Sequence, residues 1–506
     1  MLGVETSGAG AQRSPRARAA KLVRGHPLLL IVCLGAVIRF ATLGTQDFWL
    51  DEHATLIVIA QGPLDLLKAV QLGESNPALY YVIAGAWERV FGDSEVGIRS
   101  LSAVAGIAAI PVLYAATKAL YTRRAGLVAA SLAATNPLLI WYSQETRNYS
   151  LLVFLSALSF LCFVRALDDR GQRWLWGWAL ASALALCTHY FSLALILPEA
   201  AWLLLRKPGS RIDTAFGIGA VGAVGVALLP LIATQRGRGD WIAHYSLPGR
   251  LLQLPEHSLV GLQVPWQALP AIVLAVVALI ALYGGSKADE KGRRGLAIAG
   301  SILVAGMAML LVAAAAGDDY IVTRNLLELW VPLAAVLGVA LAARGAAGRI
   351  GTVLTIGVCA VGVGLVIWTA ATPEAQRPNY SDLAAELGPA STERLIVSQT
   401  SFSSPLVLYL DGSRIATDED LSASELVVIE PRPTESYAVG TCWWLSSCGG
   451  VDLQPPPRFE VPPEFELTRT GSTRLFDYRV YEAPRPTAIQ RPVEYLTPRV
   501  FVQTPP

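Results

Sequence analysis

Apolar stretches of about the length that crosses a lipid bilayer recur from residue 27 to residue 370, and they constrain this chain more than any other feature. A spanning helix needs about 20 mostly apolar residues. Inside hydrocarbon, every backbone N–H and C=O must be satisfied within the segment, so runs of this length read as helices. They fall at 27–44, 98–120, 125–142, 149–166, 174–190, 191–205, 212–233, 267–283, 296–316, 325–343 and 350–370, about eleven in all. The division is weakest at 174–205, where only Thr188-His189-Tyr190 separates two short runs. Only 16% of the residues are charged, against roughly 25% in soluble domains. A net charge of +1 without a basic stripe gives nucleic-acid binding no support.

Charge on the connections orients the spans. Basic residues collect at Lys118/Arg123/Arg124, Arg165/Arg170/Arg173, Arg206/Lys207/Arg211, Lys287/Lys291/Arg293/Arg294 and Arg344/Arg349, always on alternate connections. All fall on the side of the basic segment 1–26, which the positive-inside rule makes cytoplasmic. A cleavable leader is the rival reading of the first run. No small-x-small site follows it, and Arg39 interrupts its end, so an uncleaved span is expected. The chain is therefore expected to be a multi-pass plasma-membrane protein whose segment after residue 370 lies outside. The first outer loop, 45–97, is far too long for a turn. Its apolar piece 77–90 reads as a helix at the interface, with Trp87 and the pair Tyr80-Tyr81 at headgroup level. A second long outer loop covers 234–265.

After residue 371 the composition turns polar and Pro-rich. Short β-type runs at 394–397, 406–410, 425–429 and 474–481, and a helix over 382–387 with Ser381 as N-cap, predict a small extracytoplasmic α/β domain over 371–483. A Pro-rich tail, extended or disordered, is expected over 484–506. Cys442 and Cys448 fall on the oxidising side, where a disulfide is expected, with two free thiols as the alternative. Cys33, Cys162, Cys187 and Cys359 lie in apolar runs and read as packing residues.

Candidate chemistry gathers at the outer helix ends. Asp51-Glu52 follows the first span directly, flanked by Trp49 and His53. An ionised carboxylate beside lipid loses solvation and is usually held for a task. Neighbours on a helix point about 100° apart, so a division of labour is expected, one carboxylate towards the reacting group and the other towards a supporting partner. Capping or simple solvation explains such a pair equally well when it is taken alone. Arg99, Arg147 and Arg324 also lie at outer ends, against the charge bias, and arginine binds phosphate oxygens bidentately. Each alone could instead snorkel to lipid headgroups. Together with the carboxylates they point to a bound phosphate. His189 reads as a hydrogen-bonding residue rather than a metal ligand, and no spacing suggests a metal site, a phosphate-cradling glycine loop or a nucleophile elbow.

These residues carry a resemblance. Trp49-Leu50-Asp51-Glu52, Asn76-Pro77-Ala78-Leu79-Tyr80-Tyr81, Arg99-Ser100-Leu101-Ser102, Asn136-Pro137, Tyr142-Ser143-Gln144-Glu145-Thr146-Arg147-Asn148-Tyr149 and Thr188-His189-Tyr190-Phe191 follow one another in family order. In them the chain resembles the dolichyl-phosphate-mannose–protein mannosyltransferase superfamily, which includes the aminoarabinose-lipid A transferases and has the membrane-embedded GT-C fold. The resemblance is strong over 27–205, thinner through Arg324-Asn325 and Pro332, and only general beyond. It implies an inverting glycosyltransferase that uses a polyprenyl-phosphate sugar, mannose or a related one. Asp51 would be the general base, with Glu52 assisting. Arg147, Tyr149, Arg99 and Arg324 would grip the donor phosphate. Trp49, His53, Asn76, Tyr80, Tyr81, Tyr142, Gln144, Glu145, His189 and Tyr190 would line the pocket. The leaving group is a lipid phosphate that arginines can hold, so no cofactor is required, although a divalent metal is not excluded. Many relatives have a second proline, or a His before the proline, where this chain reads Asn76-Pro77-Ala78. The acceptor is accordingly left open among glycan, glycolipid and protein. A lipid or solute transporter is the alternative reading. Transporters place ionisable groups near the midplane and often show repeats, neither of which is found here. A silent scaffold whose outer domain binds a partner is a third.

Overall fold

The computed structural model describes residues 26–168, 172–206, 211–398, 401–416, 421–432, 459–489 and 499–505. The expected disulfide of Cys442 and Cys448 lies outside the described residues.

Each expected apolar stretch coincides with helix. The first is α1 (Pro27–Ala41), and the first long loop follows with α2 (Leu50–Ile59), α3 (Pro63–Gly73) and α4 (Leu79–Phe91). Next come α5 (Glu95–Leu120), α6 (Arg123–Thr135), α7 (Pro137–Ser143), α8 (Tyr149–Asp168), α9 (Gln172–Leu186), α10 (Leu193–Arg206) and α11 (Arg211–Gln235). The second long loop carries α12 (Leu247–Val260), and α13 (Leu269–Ser286), α14 (Glu290–Ala315), α15 (Trp330–Leu341) and α16 (Gly345–Ala371) complete the bundle. Among the described residues seven spans are long and apolar enough to cross a membrane, and the bent pair α6–α7 makes an eighth. The remaining three, α1, α9 and α10, are 15, 15 and 14 residues long. At about 1.5 Å rise per residue these are shorter than the roughly 30 Å hydrocarbon core.

The bend of 57° between α6 and α7 has a sequence cause. Pro137 has no N–H to continue the ladder, and Asn136 caps the new helix by accepting from Leu139 N at 3.0 Å. The break strands carbonyls at the end of α6. Buried Arg39 of α1 satisfies them, donating to Ala133 O and Ala134 O at 3.0 and 3.1 Å and to Ser143 Oγ at 3.1 Å. Thus the arginine that interrupts the first apolar run is a structural clasp between α1 and the broken span. In the bundle interior Trp178, Phe160 and Phe163 are fully buried, whereas α11, α13 and α16 leave apolar flanks outward, as lipid as solvent requires.

Helix α4 forms where the apolar piece predicts it, but Tyr80 and Tyr81 are not presented at a surface; both are buried between α4 and the rest of the loop. Tyr80 Oη lies 3.4 Å from Ser102 Oγ. Trp87 also turns inward, donating to Ser100 Oγ at 2.9 Å, and Val90 and Phe91 form the exposed end.

Beyond α16 lie a short helix, α17 (Ser381–Leu387), and a six-stranded sheet. Its strands are β1 (Arg394–Ser398), β2 (Ser413–Ile415), β3 (Leu421–Pro431), β4 (Glu466–Ser472), β5 (Phe476–Ile489) and β6 (Arg499–Gln503), ordered β2-β6-β1-β3-β5-β4. Only β1 and β3 pair in parallel. Both faces are covered, one by Leu383, Leu387 and Leu406, the other by Phe465 and its neighbours. Three local expectations are revised. Residues 406–410 are not a strand: Ser401–Leu408 is a 3-10 segment containing Pro405, which has no N–H for a ladder. Ser381 is the first helical residue rather than the cap; Asn379 Oδ1 accepts from Asp382 N at 3.1 Å instead. The sheet also runs past residue 483, because β5 reaches Ile489 and β6 is drawn from the expected tail.

Candidate functional site

Glu52 and Asp51 share a helix turn and face different partners. Glu52 is fully buried and takes Arg99 in a two-point contact, Nε to Oε1 at 2.7 Å and Nη2 to Oε2 at 2.6 Å. Its Oε1 also accepts from Thr146 N at 2.7 Å. Burial pushes this carboxyl up, but Arg99, aided by Arg377 and Thr146 N–H, holds it below the ordinary carboxylate range. Arg99 spends its remaining N–H groups on Leu43 O, Gln46 O and Asp47 O. All five of its donors are committed, which leaves none spare for the phosphate that the resemblance assigns to it. The pair is instead the knot tying α2, α5 and the turn at residues 144–148.

Asp51, about 100° round the helix, keeps a side chain 25% exposed and meets Arg324, whose Nη1 lies 2.9 Å from Oδ2. Arg324 comes from the 3-10 segment Thr323–Leu329 before α15, and its guanidinium stands 5.4 Å from the Trp241 ring. Tyr142 and Tyr149, rings 4.8 Å apart and tilted, lie within electrostatic reach of it.

Arg147 is buried and braced. Its Nη1 and Nη2 donate to Glu74 at 3.0 and 3.1 Å, and Nη1 also reaches Thr55 Oγ1 and Asp51 O. The loop carbonyl of Glu74 is held in turn by Arg238. Arg147 Nε has no hydrogen-bond partner among the described residues.

Glu145 is enclosed in the same turn. Trp49 Nε1 donates to its Oε1 at 2.9 Å, and Arg377 Nη2 stands 3.7 Å from Oε2. Burial pushes its carboxyl up to about 7, against the opposing pull of Arg377.

The other expected pocket residues divide. His189 is buried, and its Nδ1 accepts from Phe191 N at 3.3 Å. Burial, with Arg147 and Arg324 nearby, drops it to about 3, so it is a neutral imidazole at ordinary pH. His53 and Asn76 are buried beside the loop, and Asn76 O accepts from Gln235 Nε2 at 3.2 Å. Gln144 turns from the carboxylates to α1, donating to Arg39 O and Thr42 Oγ1, both at 2.9 Å. Tyr190 donates to Gln235 Oε1 at 2.6 Å, on the second outer loop. Among the described residues no group of His, Cys, Asp and Glu gathers in a metal-holding arrangement.

Sequence reading missed Glu74, Trp241 and Arg377. Glu74 stands two residues before Asn76-Pro77, Trp241 lies in the long outer loop, and Arg377 belongs to the linker after the last span. No local pattern marks any of them, because each reaches the site through the tertiary fold. Close by, an apolar cavity of about 500 Å³ opens between α12, α14 and α15, lined by Leu254, Leu303, Met307, Leu327 and Trp330. Thr323, the neighbour of Arg324, lies on its wall.

Residues 75–233 match the family described as Dolichyl-phosphate-mannose-protein mannosyltransferase. Among solved structures, ArnT from Cupriavidus metallidurans bound to undecaprenyl phosphate superposes with a TM-score of 0.53 at 12% identity, covering 89% of this chain and 97% of that one. AglB from Archaeoglobus fulgidus, an oligosaccharyltransferase in complex with an inhibitory peptide and a dolichol-phosphate, matches with a TM-score of 0.41 at 12% identity over 72% of this chain and 58% of that one. The arabinosyltransferase EmbB from Mycobacterium smegmatis matches with 0.37 at 16% identity over 66% and 32%. No curated protein matches the sequence. Residues 75–233 thus carry the dolichyl-phosphate-mannose–protein mannosyltransferase signature, and the chain that holds them has the GT-C fold of a multi-helix membrane protein.

Proposed function

We propose that this protein is a membrane glycosyltransferase that moves a sugar, mannose or a related one, from a polyprenyl-phosphate donor to a hydroxyl acceptor at the outer face, with inversion. One observation carries the reading: the carboxylate of Asp51 lies 2.9 Å from Arg324, whose chain neighbour Thr323 lines an apolar cavity. A lipid phosphate has both parts this arrangement complements, an anionic head and a hydrocarbon tail. The fold is shared with a protein whose structure holds undecaprenyl phosphate, which supports the same donor class.

In this reading the donor phosphate competes for Arg324 and frees Asp51. Asp51 takes the proton of the acceptor hydroxyl while that oxygen attacks the anomeric carbon from the face opposite the phosphate. The bond from carbon to phosphate oxygen breaks, and its electrons leave on the lipid phosphate, whose charge Arg324 stabilises. Arg147, braced by Glu74, offers its unpaired Nε to the same phosphate. Glu52 acts at a distance by fixing the helix that carries Asp51. The acceptor belongs to the glycan, glycolipid or protein class, and the transfer face is extracytoplasmic.

The test is transfer by the purified protein in lipid from polyprenyl-phosphate mannose, and from other polyprenyl-phosphate sugars, to envelope glycolipids or peptides, read by mass spectrometry. Product of inverted configuration, absent with Asp51→Asn, supports the reading. Movement of the donor across vesicles without a new glycosidic bond overturns it in favour of transport.

A further inference from the structure

The segment that leaves the membrane after α16 returns to the reaction centre before it builds the C-terminal domain. Three consecutive residues just ahead of the Asp51-Glu52 pair hold it there. Gln46 Oε1 accepts from Arg377 N at 2.8 Å. Asp47 Oδ2 accepts from Tyr380 N and Ser381 N, both at 2.6 Å. Phe48 N donates at 2.6 Å to the hydroxyl of Tyr409, which donates in turn to Glu95 Oε1 at 3.0 Å. From the far side, Arg474 Nη2 donates to Arg377 O at 2.7 Å. Both backbone ends of Arg377 are therefore fixed, one by the catalytic loop and the other by the sheet domain.

Its side chain is 3% exposed and lies flat over Trp141, 4.2 Å from the ring centroid, with Nη2 donating to Trp141 O at 3.2 Å. That stacking aims the guanidinium at Glu145, 3.7 Å from Oε2. Arg377 Nε and Glu145 Oε2 are both buried, and neither has a hydrogen-bond partner among the described residues. The contact is one of charge rather than of saturated hydrogen bonds, so it acts on the protonation of the carboxyl.

We propose that Arg377 is a positioning residue of the transfer site, through which the C-terminal domain holds Glu145, and by way of Trp49 the Asp51-Glu52 loop, in its working charge state. The inference rests on the transferase reading only for its consequence in activity. Other charged groups act on Glu145 too. Glu52 and Asp51 raise its proton affinity, and Arg147 lowers it. Tyr80, Tyr142 and Tyr149 also lie within electrostatic reach of it. Arg377 comes first among the charges, ahead of these three. Glu145 stands near the midpoint of its titration at neutral pH, where loss of one cation changes its state most.

The experiment is infrared titration of the full-length protein in lipid, without donor, following the carboxyl C=O band that disappears in Glu145→Gln. In the parent the band is expected to titrate near pH 7. Arg377→Gln is expected to move the midpoint alkaline by one unit or more, tenfold in proton affinity. Arg377→Lys, which keeps the cation, should restore most of the difference. The pH profile of sugar transfer should move in the same direction as the band. An unmoved band in Arg377→Gln overturns the proposal, as does Lys failing to restore it while the protein remains folded by thermal melting. A moved band in a protein that transfers no sugar leaves Arg377 as the partner of Glu145 and counts against the transferase reading instead.

Discussion

Asp51 and Arg324 are 273 residues apart in the chain, and their side chains meet at 2.9 Å. One comes from the loop after the first span and the other from the 3-10 segment before α15, so the contact joins two distant parts of the chain. Because Asp51 remains partly open to solvent, the pair can be separated by a ligand without stranding a charge in the core.

If Asp51 is the base, Asp51→Asn keeps the shape and removes proton acceptance. Turnover should fall by about 10²–10⁴-fold with the melting temperature nearly unchanged. Single-turnover transfer and a thermal melt measured on the same sample check this.

On the proposed mechanism, Arg324→Gln removes the cation that faces the leaving phosphate. Both affinity for polyprenyl phosphate and the rate of transfer should drop, the rate by about 10²-fold or more. Arg99→Gln should leave affinity for the lipid phosphate unchanged in whatever fraction folds, since Arg99 has no donor to spare. Equilibrium binding of a polyprenyl phosphate by the two variants separates them.

The Glu52–Arg99 pair is buried on both sides, so removing one partner leaves an uncompensated charge. Arg99→Met should destabilise the protein by about 3–5 kcal/mol. The double variant Glu52→Gln/Arg99→Met should recover part of that loss, and denaturation in mild detergent reads the difference.

His189 has a folded pKa of about 3, below its ordinary 6.5. A group whose folded value is depressed contributes stability that is present above the unfolded value and lost as pH falls towards the folded one. Between pH 6.5 and 3 the unfolded chain takes up a proton that the folded site refuses, so stability should fall by up to about 1.4 kcal/mol per pH unit from this residue. His189→Gln should flatten that part of the stability curve, as thermal melting across the range would register.

Asp47→Ala removes the acceptor for Tyr380 N and Ser381 N, and Tyr409→Phe removes the hydroxyl bridging Phe48 and Glu95. Either should loosen the C-terminal domain from the loop that carries Asp51 and Glu52. Faster amide exchange over residues 45–50 and 377–383, with exchange in α5 and α8 unchanged, is the expected signature.

Much of the helical scaffold was legible from the residues alone, because lipid solvent forces each span to declare itself as a continuous apolar run. The break at Asn136-Pro137 escapes that reading, which makes 125–142 one run, whereas the order of Asp51-Glu52, Arg99 and Arg147 pointed to the region where the fold gathers these charges. Tertiary structure decided which of those charges is available. Sequence makes Arg99, Arg147 and Arg324 equivalent outer arginines. Folding ties Arg99 to Glu52 and three loop carbonyls, braces Arg147 on Glu74, and presents Arg324 to Asp51. It also brings in Arg377 from beyond the last span and buries Tyr80 and Tyr81 within the protein. The reason is physical: hydrophobicity is a property of a segment and is written locally, whereas the partner of a buried charge is set by which distant backbone arrives beside it.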